Sequence, residues 1–290
     1  MSATVYIIRH AEAEGNIYRR CHGLYDSLLT PRAYQQLPCL AKRFENVPLA
    51  AVYASPLFRA RTTAQAVAAP HGLTVELRND LHEIDMGDWE DLPWAELPHG
   101  WPDQYAKWCA RPWEAAPPHG ETVMQAGARM LNEVRRLAQE NDGKAIAVVT
   151  HGSAIRGALT IAHGFPPEKM NEIGWGDNTC VARLDFADDG SIDVVYENDA
   201  SHLPQELSTF ACIGWKNAKG IPVSPQIWFR RADPNNPQDV DKIVEFMREL
   251  HRNAYGTDEG LNPAALLRDV ERAQQVSPRS CTFGLLEDGT

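Results

Sequence analysis

The chain holds 290 residues, with 39 acidic against 28 basic side chains and a formal net charge of −11. That length suits one large domain plus a smaller unit, and the acidic balance argues against nucleic acid or an anionic membrane surface as the main partner. Six cysteines, at 21, 39, 109, 180, 212 and 281, show no CxxC pair, disulfide framework or metal-site spacing, which fits a reducing compartment.

No signal-peptide pattern and no transmembrane run precedes the first strand, so a cytoplasmic location is expected. Val5-Tyr6-Ile7-Ile8 is an apolar, β-branched run of the kind buried in parallel sheets, and it ends in Arg9-His10. Ligands of open α/β sheets bind beyond the carboxyl ends of strands. A fixed cation and an imidazole therefore stand where a ligand would sit, although a strand end can carry Arg-His without function. Leu49–Tyr53 reads as a second strand that runs into Ser55-Pro56. Pro56 suits a helix start, and the helix expected over 56–69 carries Arg59 and Arg61 in its first turns.

Between Glu83 and His151 stand Trp89, Trp94, Trp101, Trp108 and Trp113, with six prolines at 93, 98, 102, 112, 117 and 118. This segment reads both as a satellite core packed by aromatics and as a lid over a pocket. Thr122–Arg136 has a helical pattern, with Thr122 placed to cap it. Lys144–Thr150 is another buried-strand pattern; it ends in His151-Gly152-Ser153, and a helix opens over Ala154–Leu159. Three strand ends thus deliver His10, His151, Arg9 and Arg59. Guanidinium forks match phosphate oxygens, and an imidazole can accept a phosphoryl group covalently.

Leu207–Pro225 reads as a connector with glycine and proline punctuation. A strand follows at Ile227–Ala232, then a helix opened by Asn236-Pro237 with Val240, Ile243, Val244, Met247, Leu250 and Ala254 at helical spacing. Asn262-Pro263 opens a second helix, Cys281–Leu286 reads as a strand, and Asp288-Gly289 is a hairpin turn.

Taken together, the motifs resemble the histidine phosphatase, or phosphoglycerate mutase-like, superfamily. They are Arg9-His10-Ala11-Glu12; Asn16 with Arg20 and His22-Gly23; Asp26 with Leu29-Thr30; and Ser55-Pro56-Leu57 with Arg59-Ala60 and Thr63-Ala64. Further on come Leu81-His82-Glu83-Ile84 with Gly87 and Trp89-Glu90, Gly120-Glu121-Thr122, His151-Gly152, and Asn198-Asp199 with Ser201-His202-Leu203. They stand in family order over residues 4 to 205, a far more specific signal than one short motif. Ala11, His22, Ala33 and Asp91 depart from the family's usual glycine, glutamine, glycine and glycine.

The resemblance implies an α/β fold: a three-layer α/β/α sandwich with a mostly parallel central sheet over residues 1–205. A linker over 206–225 and a small α/β segment over 226–290 would follow. That last segment resembles the opening of a GNAT-superfamily acyltransferase; it reads equally as an extension that packs on the first domain or forms a dimer interface. The glycine-rich loop of that superfamily is absent, so acyl transfer is not expected.

The resemblance also implies roles. His10 would attack phosphorus and form a phosphohistidine, while Arg9, Arg59 and His151 neutralise the equatorial oxygens and Asn16 adds a hydrogen bond. Gly152, His22 and Gly23 would complete the phosphate-binding set. Glu83 would protonate the leaving oxygen and then activate water, starting from a protonated carboxyl.

No metal and no cofactor is expected. The partner would be a small-molecule phosphomonoester, not nucleic acid or membrane, and a homodimer stays open. The short segment after Glu83 favours a hydrolase of the histidine acid phosphatase kind. Mutase-like phosphoryl transfer is the alternative, and a non-catalytic phosphoryl-binding module the third reading. His71, His99, His163 and His251 read as ordinary surface residues, His82 as pointing away from Glu83, and His22 and His119 as rim candidates. Arg61 and Arg156 read as surface or interface residues, and Glu121 with Thr122 as either a phosphate contact or a helix cap.

Overall fold

The computed structural model describes residues 2–213, 227–231, 233, 235–257, 262, 264–265, 268 and 284–288. The chain divides into two compact units, Met1–Pro225 and Gln226–Thr290.

In chain order, the first unit opens with β1 (Ala3–Arg9), the single turn α1 (Glu14–Ile17), α2 (Ala33–Phe44), β2 (Leu49–Ala54), α3 (Phe58–Ala68) and β3 (Val75–Leu77). It continues through α4 (Leu97–Gly100), α5 (Pro102–Ala110), α6 (Val123–Glu140), β4 (Ala145–Thr150), α7 (Gly152–Ala162), β5 (Val181–Phe186), β6 (Ile192–Asp199) and α8 (Thr209–Ile213). The six strands form one sheet in the order β3-β2-β4-β1-β5-β6. β3, β2, β4 and β1 run parallel, while β5 and β6 are antiparallel to their neighbours.

Alternation along the strands splits the core. Val5, Ile7, Ile146, Val148, Leu184 and Phe186 face one side, where α6 and α7 contribute Met130, Leu131, Val134, Leu137, Ile155 and Leu159. Ile8, Val52, Ala54, Val149 and Val181 face the other, against Leu40, Phe44, Ala60, Ala64 and Val67 of α2 and α3. Strands buried on both faces explain the near-continuous apolar runs, and the result is the expected three-layer sandwich with a mostly parallel sheet.

Local signals fix the helix starts that matter for the site. Thr122 and Gln125 form a capping box for α6, with Gln125 N–H on Thr122 Oγ1 at 3.1 Å and Thr122 N–H on Gln125 Oε1 at 2.8 Å. That settles Thr122 as a cap. α7 starts directly after His151, whose backbone is extended. Gly127 of α6 sits against Gly157 of α7 so closely that an added methyl would overlap the Gly157 backbone. The stretch expected to be a strand-poor connector carries the short α8, whose Phe210 is 3 % exposed and belongs to the first unit.

In the second unit, β7 (Ile227–Arg231) pairs antiparallel with β8 (Gly284–Asp288), and α9 (Pro237–Tyr255) lies between them in sequence. Asn236 caps α9 by accepting from Gln238 N–H at 3.0 Å, and Gly256 ends it at φ +74°. Asp288 is paired with Ile227 in the ladder, so the strand runs through the position expected to start a turn. Gly289 lies outside the described residues, as does most of the second helix expected after Asn262. No helix among the described residues is long and apolar enough to cross a membrane.

Candidate active site

Because β1, β2 and β4 are parallel, their carboxyl ends open at one edge of the sheet. Register places Arg9 beside Thr150 and Ala54 beside Val149. Arg9, Ser55 and His151 therefore emerge side by side, and the loops beyond them enclose a cavity of about 370 Å³. Arg9, His10, Asn16, Arg59, Glu83 and Gly152 all line it.

His10 is 5 % exposed. Its Nδ1 lies 2.7 Å from the Ala11 carbonyl oxygen, which can only accept, so Nδ1 carries the proton and Nε2 keeps its lone pair for the cavity. Burial first, then the Arg59 and Arg9 charges, hold the imidazole well below its ordinary pKa, and it stands neutral. His151 lies against it, ring centroids 5.1 Å apart, and is fully covered. Burial and Arg59 push the His151 pKa well down too. Its Nε2 is 2.8 Å from Ser55 Oγ, and its buried Nδ1 has no hydrogen-bond partner.

The two arginines are held differently. Arg59 is 1 % exposed, and its guanidinium donates to the carbonyls of Tyr25 (2.7 Å), Gly23 (2.7 Å) and His22 (3.3 Å). Burial lowers its pKa to about 10, which still leaves it charged at neutral pH. Arg9 Nη1 donates to Gly176 O at 2.6 Å, while its buried Nε lacks a partner. A methyl on Gly152 would touch that Nε and the Trp175 ring, each at 3.4 Å. Asn16 Oδ1 accepts from Ala13 N–H (2.9 Å) and Asn178 Nδ2 (3.2 Å), which leaves its amide nitrogen as the donor for the cavity.

Glu83 is held by three backbone donors. Oε1 accepts from Ile84 and Ala154 N–H, both at 2.9 Å, and Oε2 from Ser153 N–H at 3.0 Å. Ser153 and Ala154 belong to the first turn of α7, where a helix favours negative charge. Arg129 donates to the carbonyls of His82 (3.1 Å) and Glu83 (3.2 Å) and is itself paired with Glu121 at 2.8 Å. Glu121 thus supports the Glu83 segment from outside the cavity.

Gly23 and His22 shape the loop that Arg59 grips. Gly23 is required for close approach: an added methyl would strike Ile84 O and Glu90 Oε1. Glu90 accepts from the N–H groups of Gly23 (3.2 Å), Leu24 (2.7 Å), Tyr25 (3.1 Å) and Met86 (3.1 Å). His22 stacks on Tyr25 with centroids 4.6 Å apart and donates from Nε2 to Asp91 Oδ1 at 3.0 Å. Burial lowers its pKa despite that carboxylate. Asp91 sits at φ +57°, a conformation that suits glycine but that Asp tolerates. Its carboxylate also takes Arg20 Nε at 2.7 Å.

The tryptophan segment divides as both readings proposed. Trp89 is fully buried in a satellite core with Leu97, Ile84 and Met86, while Trp94 and Trp108 line the cavity with centroids 6.3 Å apart. His119 does not join the rim; its side chain is 83 % exposed and pairs with Asp88. Arg156 is not a surface residue. It is buried, donates to Ile173 O (3.1 Å) and Asn171 Oδ1 (2.7 Å), and lies 4.9 Å from the Trp175 ring centroid.

Trp175 lines the cavity and had no sequence signal, being a lone aromatic in a loop. Asn178, which donates to His10 O at 3.0 Å, was also silent. Among the described residues, no group of three or more His, Cys, Asp or Glu side chains is placed to hold a metal ion.

Residues 5–199 match the family model of the histidine phosphatase superfamily (branch 1). The uncharacterized phosphatase PhoE of Bacillus subtilis (strain 168) is 26% identical over 185 residues, 64% of this chain and 89% of that protein. Phosphoglycerate mutase-like protein 4 of Arabidopsis thaliana is 31% identical over 206 residues, 70% of this chain and 88% of that protein. Among solved structures, Bacillus stearothermophilus YhfR superposes with a TM-score of 0.66 at 30% identity, covering 69% of this chain and 98% of that one. The family match stops before Gln226 and lends no support to an acyltransferase reading of the second unit.

Proposed function

The chain belongs to the histidine phosphatase superfamily, a group of phosphatases and phosphoglycerate mutase-like proteins, and on that premise we propose that it is a metal-independent phosphomonoesterase acting through phosphohistidine at His10. The observation that carries this reading is the tautomer of His10: its proton is committed to Ala11 O, so a neutral Nε2 lone pair shares a cavity with Glu83, Arg9 and Arg59.

His10 Nε2 forms a bond to phosphorus while the ester P–O bond breaks. Arg9, Arg59 and the Asn16 amide stabilise the equatorial oxygens, with His151 behind His10. The leaving oxygen takes its proton from Glu83. Three backbone N–H donors hold the Glu83 carboxyl in place beside the cavity. In the second half, Glu83 accepts a proton from water, the water oxygen bonds to phosphorus, the P–N bond breaks, and neutral His10 returns.

Trp94, Trp108, Trp175 and Met86 also line the cavity and support a small ester whose leaving group is apolar or ring-bearing. A cavity of about 370 Å³ suits a compact ligand rather than a folded phosphoprotein.

The test is phosphate release from a panel of monoesters in EDTA, for wild type and His10→Ala, with acid-labile, alkali-stable labelling trapped by rapid quench. Release and labelling that both vanish in His10→Ala support the reading. Release that needs added metal, or that survives the substitution, overturns it. Phosphoryl transfer to a second hydroxyl in place of water would make the enzyme a mutase.

A further inference from the structure

The family match ends at residue 199, yet the segment just after it is tied to the back of the phosphoryl site. Phe210, 3 % exposed, presents its ring to Arg9, with the guanidinium carbon 6.0 Å from the centroid. Thr209, 1 % exposed, donates from Oγ1 to Glu12 Oε2 at 2.8 Å, across 197 positions of sequence. Glu12 is equally covered and also takes Thr30 Oγ1 (2.6 Å) and Arg32 Nη1 (2.8 Å). Gln36 closes the circuit: its Oε1 accepts Glu12 N–H at 2.9 Å, and its Nε2 donates to Leu207 O at 2.8 Å and Thr209 Oγ1 at 3.2 Å. Ser208 Oγ donates to Asp177 Oδ2 at 2.5 Å, between Gly176, whose carbonyl holds Arg9, and Asn178, whose amide holds the His10 carbonyl.

The ties converge on Glu12, two residues after His10, and on Asp177, which stands between the residues that hold Arg9 and the His10 carbonyl. Glu12 follows Ala11, whose carbonyl fixes the His10 proton. Displacing Glu12 therefore rotates the acceptor that keeps Nε2 unprotonated. Arg9 donates to Gly176 O and has a buried Nε without an acceptor, so the Phe210 face limits where its guanidinium can rest.

We propose that Ser208, Thr209 and Phe210 are positioning residues of the phosphoryl site, Phe210 acting through Arg9 and Thr209 through Glu12. The proposal rests on Arg9 and His10 having the roles given above. None of the three lines the cavity, and Ser208 acts through Asp177.

The experiment uses the full chain and inorganic phosphate as the probe. Phosphate binding is measured by calorimetry, and kcat and KM with p-nitrophenyl phosphate, for Phe210→Ala, Phe210→Tyr, Thr209→Val, Thr209→Ser and Phe186→Leu. Phe186, at the far end of β5, is as covered as Phe210 and controls for loss of core packing. Phe210→Ala is expected to weaken phosphate binding about fivefold to thirtyfold, the span from an exposed to a desolvated cation–π contact, with Phe210→Tyr near wild type. Thr209→Val is expected to lower kcat with little change in phosphate affinity, and Thr209→Ser to restore it. Phe186→Leu should lower the melting temperature and leave both readouts unmoved. Wild-type phosphate affinity in Phe210→Ala together with wild-type kcat in Thr209→Val overturns the proposal, as does equal loss in Phe186→Leu. If wild type itself neither binds phosphate nor hydrolyses esters, the functional reading falls first and the positioning role with it.

Discussion

Glu83 and Ala154 are joined by a 2.9 Å hydrogen bond from the Ala154 N–H to Oε1, which makes the carboxyl part of the first turn of α7. The same helix begins one residue after His151. Glu83 and His151, from separate loops, therefore share one rigid mount, the first turn of α7.

Glu83→Gln keeps an oxygen for one or two of those donors and removes the transferable proton. Turnover of alkyl phosphates should fall by about 10²–10⁴-fold, the usual contribution of a general acid. Turnover of p-nitrophenyl phosphate, whose leaving group needs no proton, should fall far less in its first step. Burst kinetics on both esters checks this, and equal slowing of the first step would sink the acid role.

His10→Ala removes the nucleophile and none of the arginine contacts. We expect no turnover and no phosphoenzyme, with inorganic phosphate still bound, as read by calorimetry. Residual hydrolysis near wild type would eliminate the covalent route.

The depressed pKa of His10 has a direct kinetic consequence. An imidazole with a lowered pKa stays neutral to lower pH, so the acid limb of kcat/KM that reports the nucleophile should lie below pH 6.5. The limb should move toward higher pH in Arg59→Met, because Arg59 is the largest charge contribution holding it down. A pH profile in EDTA decides; a limb above 6.5 in wild type would contradict the neutral imidazole.

Stability should also fall in mild acid. His202 accepts Arg43 Nη1 at Nδ1 (3.1 Å) and so donates from Nε2 to Thr179 Oγ1 (3.0 Å); protonation would set two cations against each other. Burial first, and then Arg43, lowers its pKa to about 4. The unfolded chain, with a histidine near 6.5, binds more protons than the folded one between those values. Stability is therefore complete above about pH 6.5 and declines as pH falls toward about 4. His10 and His151, also lowered, add slope of the same sign. Melting temperature against pH tests this, and His202→Gln should flatten part of the slope.

Gly23→Ala should cost about 1–3 kcal/mol, the range for overpacking a tight site, because its methyl meets the Ile84 carbonyl and Glu90. The loop that must yield carries the carbonyls gripping Arg59. KM should therefore rise along with the stability loss, whereas Gly100→Ala, whose methyl would meet nothing, should change neither.

What the sequence disclosed was what short patterns can carry. Arg9, His10 and Gly152 follow from strand ends, because buried parallel strands are continuous apolar runs whose carboxyl ends face the ligand. Glu83, Asn16, His22 and Gly23 were legible through the ordered motifs. Arg156 was not, because its burial depends on Ile173 and Asn171, brought to it by a loop that no local pattern describes. His119 misled for the converse reason: its neighbours belong to the motif, but φ +60° turns it outward to Asp88. The start of the connector expected over Leu207–Pro225 shows no local sign of its packing, because the partners of Thr209, Glu12 and Gln36, lie 197 and 173 positions away. Its fold-level role is a long-range fact.

Glu90 ties four backbone N–H groups on two loops into one block. Trp94 and Trp108 line the same cavity from other elements, a single turn at Trp94–Glu96 and α5. Mutational drift can rework those aromatics, and with them the preferred ester, while the reacting groups keep their spacing. Under the proposed function, the groups that act on phosphorus and the Trp94 and Trp108 rings that meet the ester stand on different elements of one pocket.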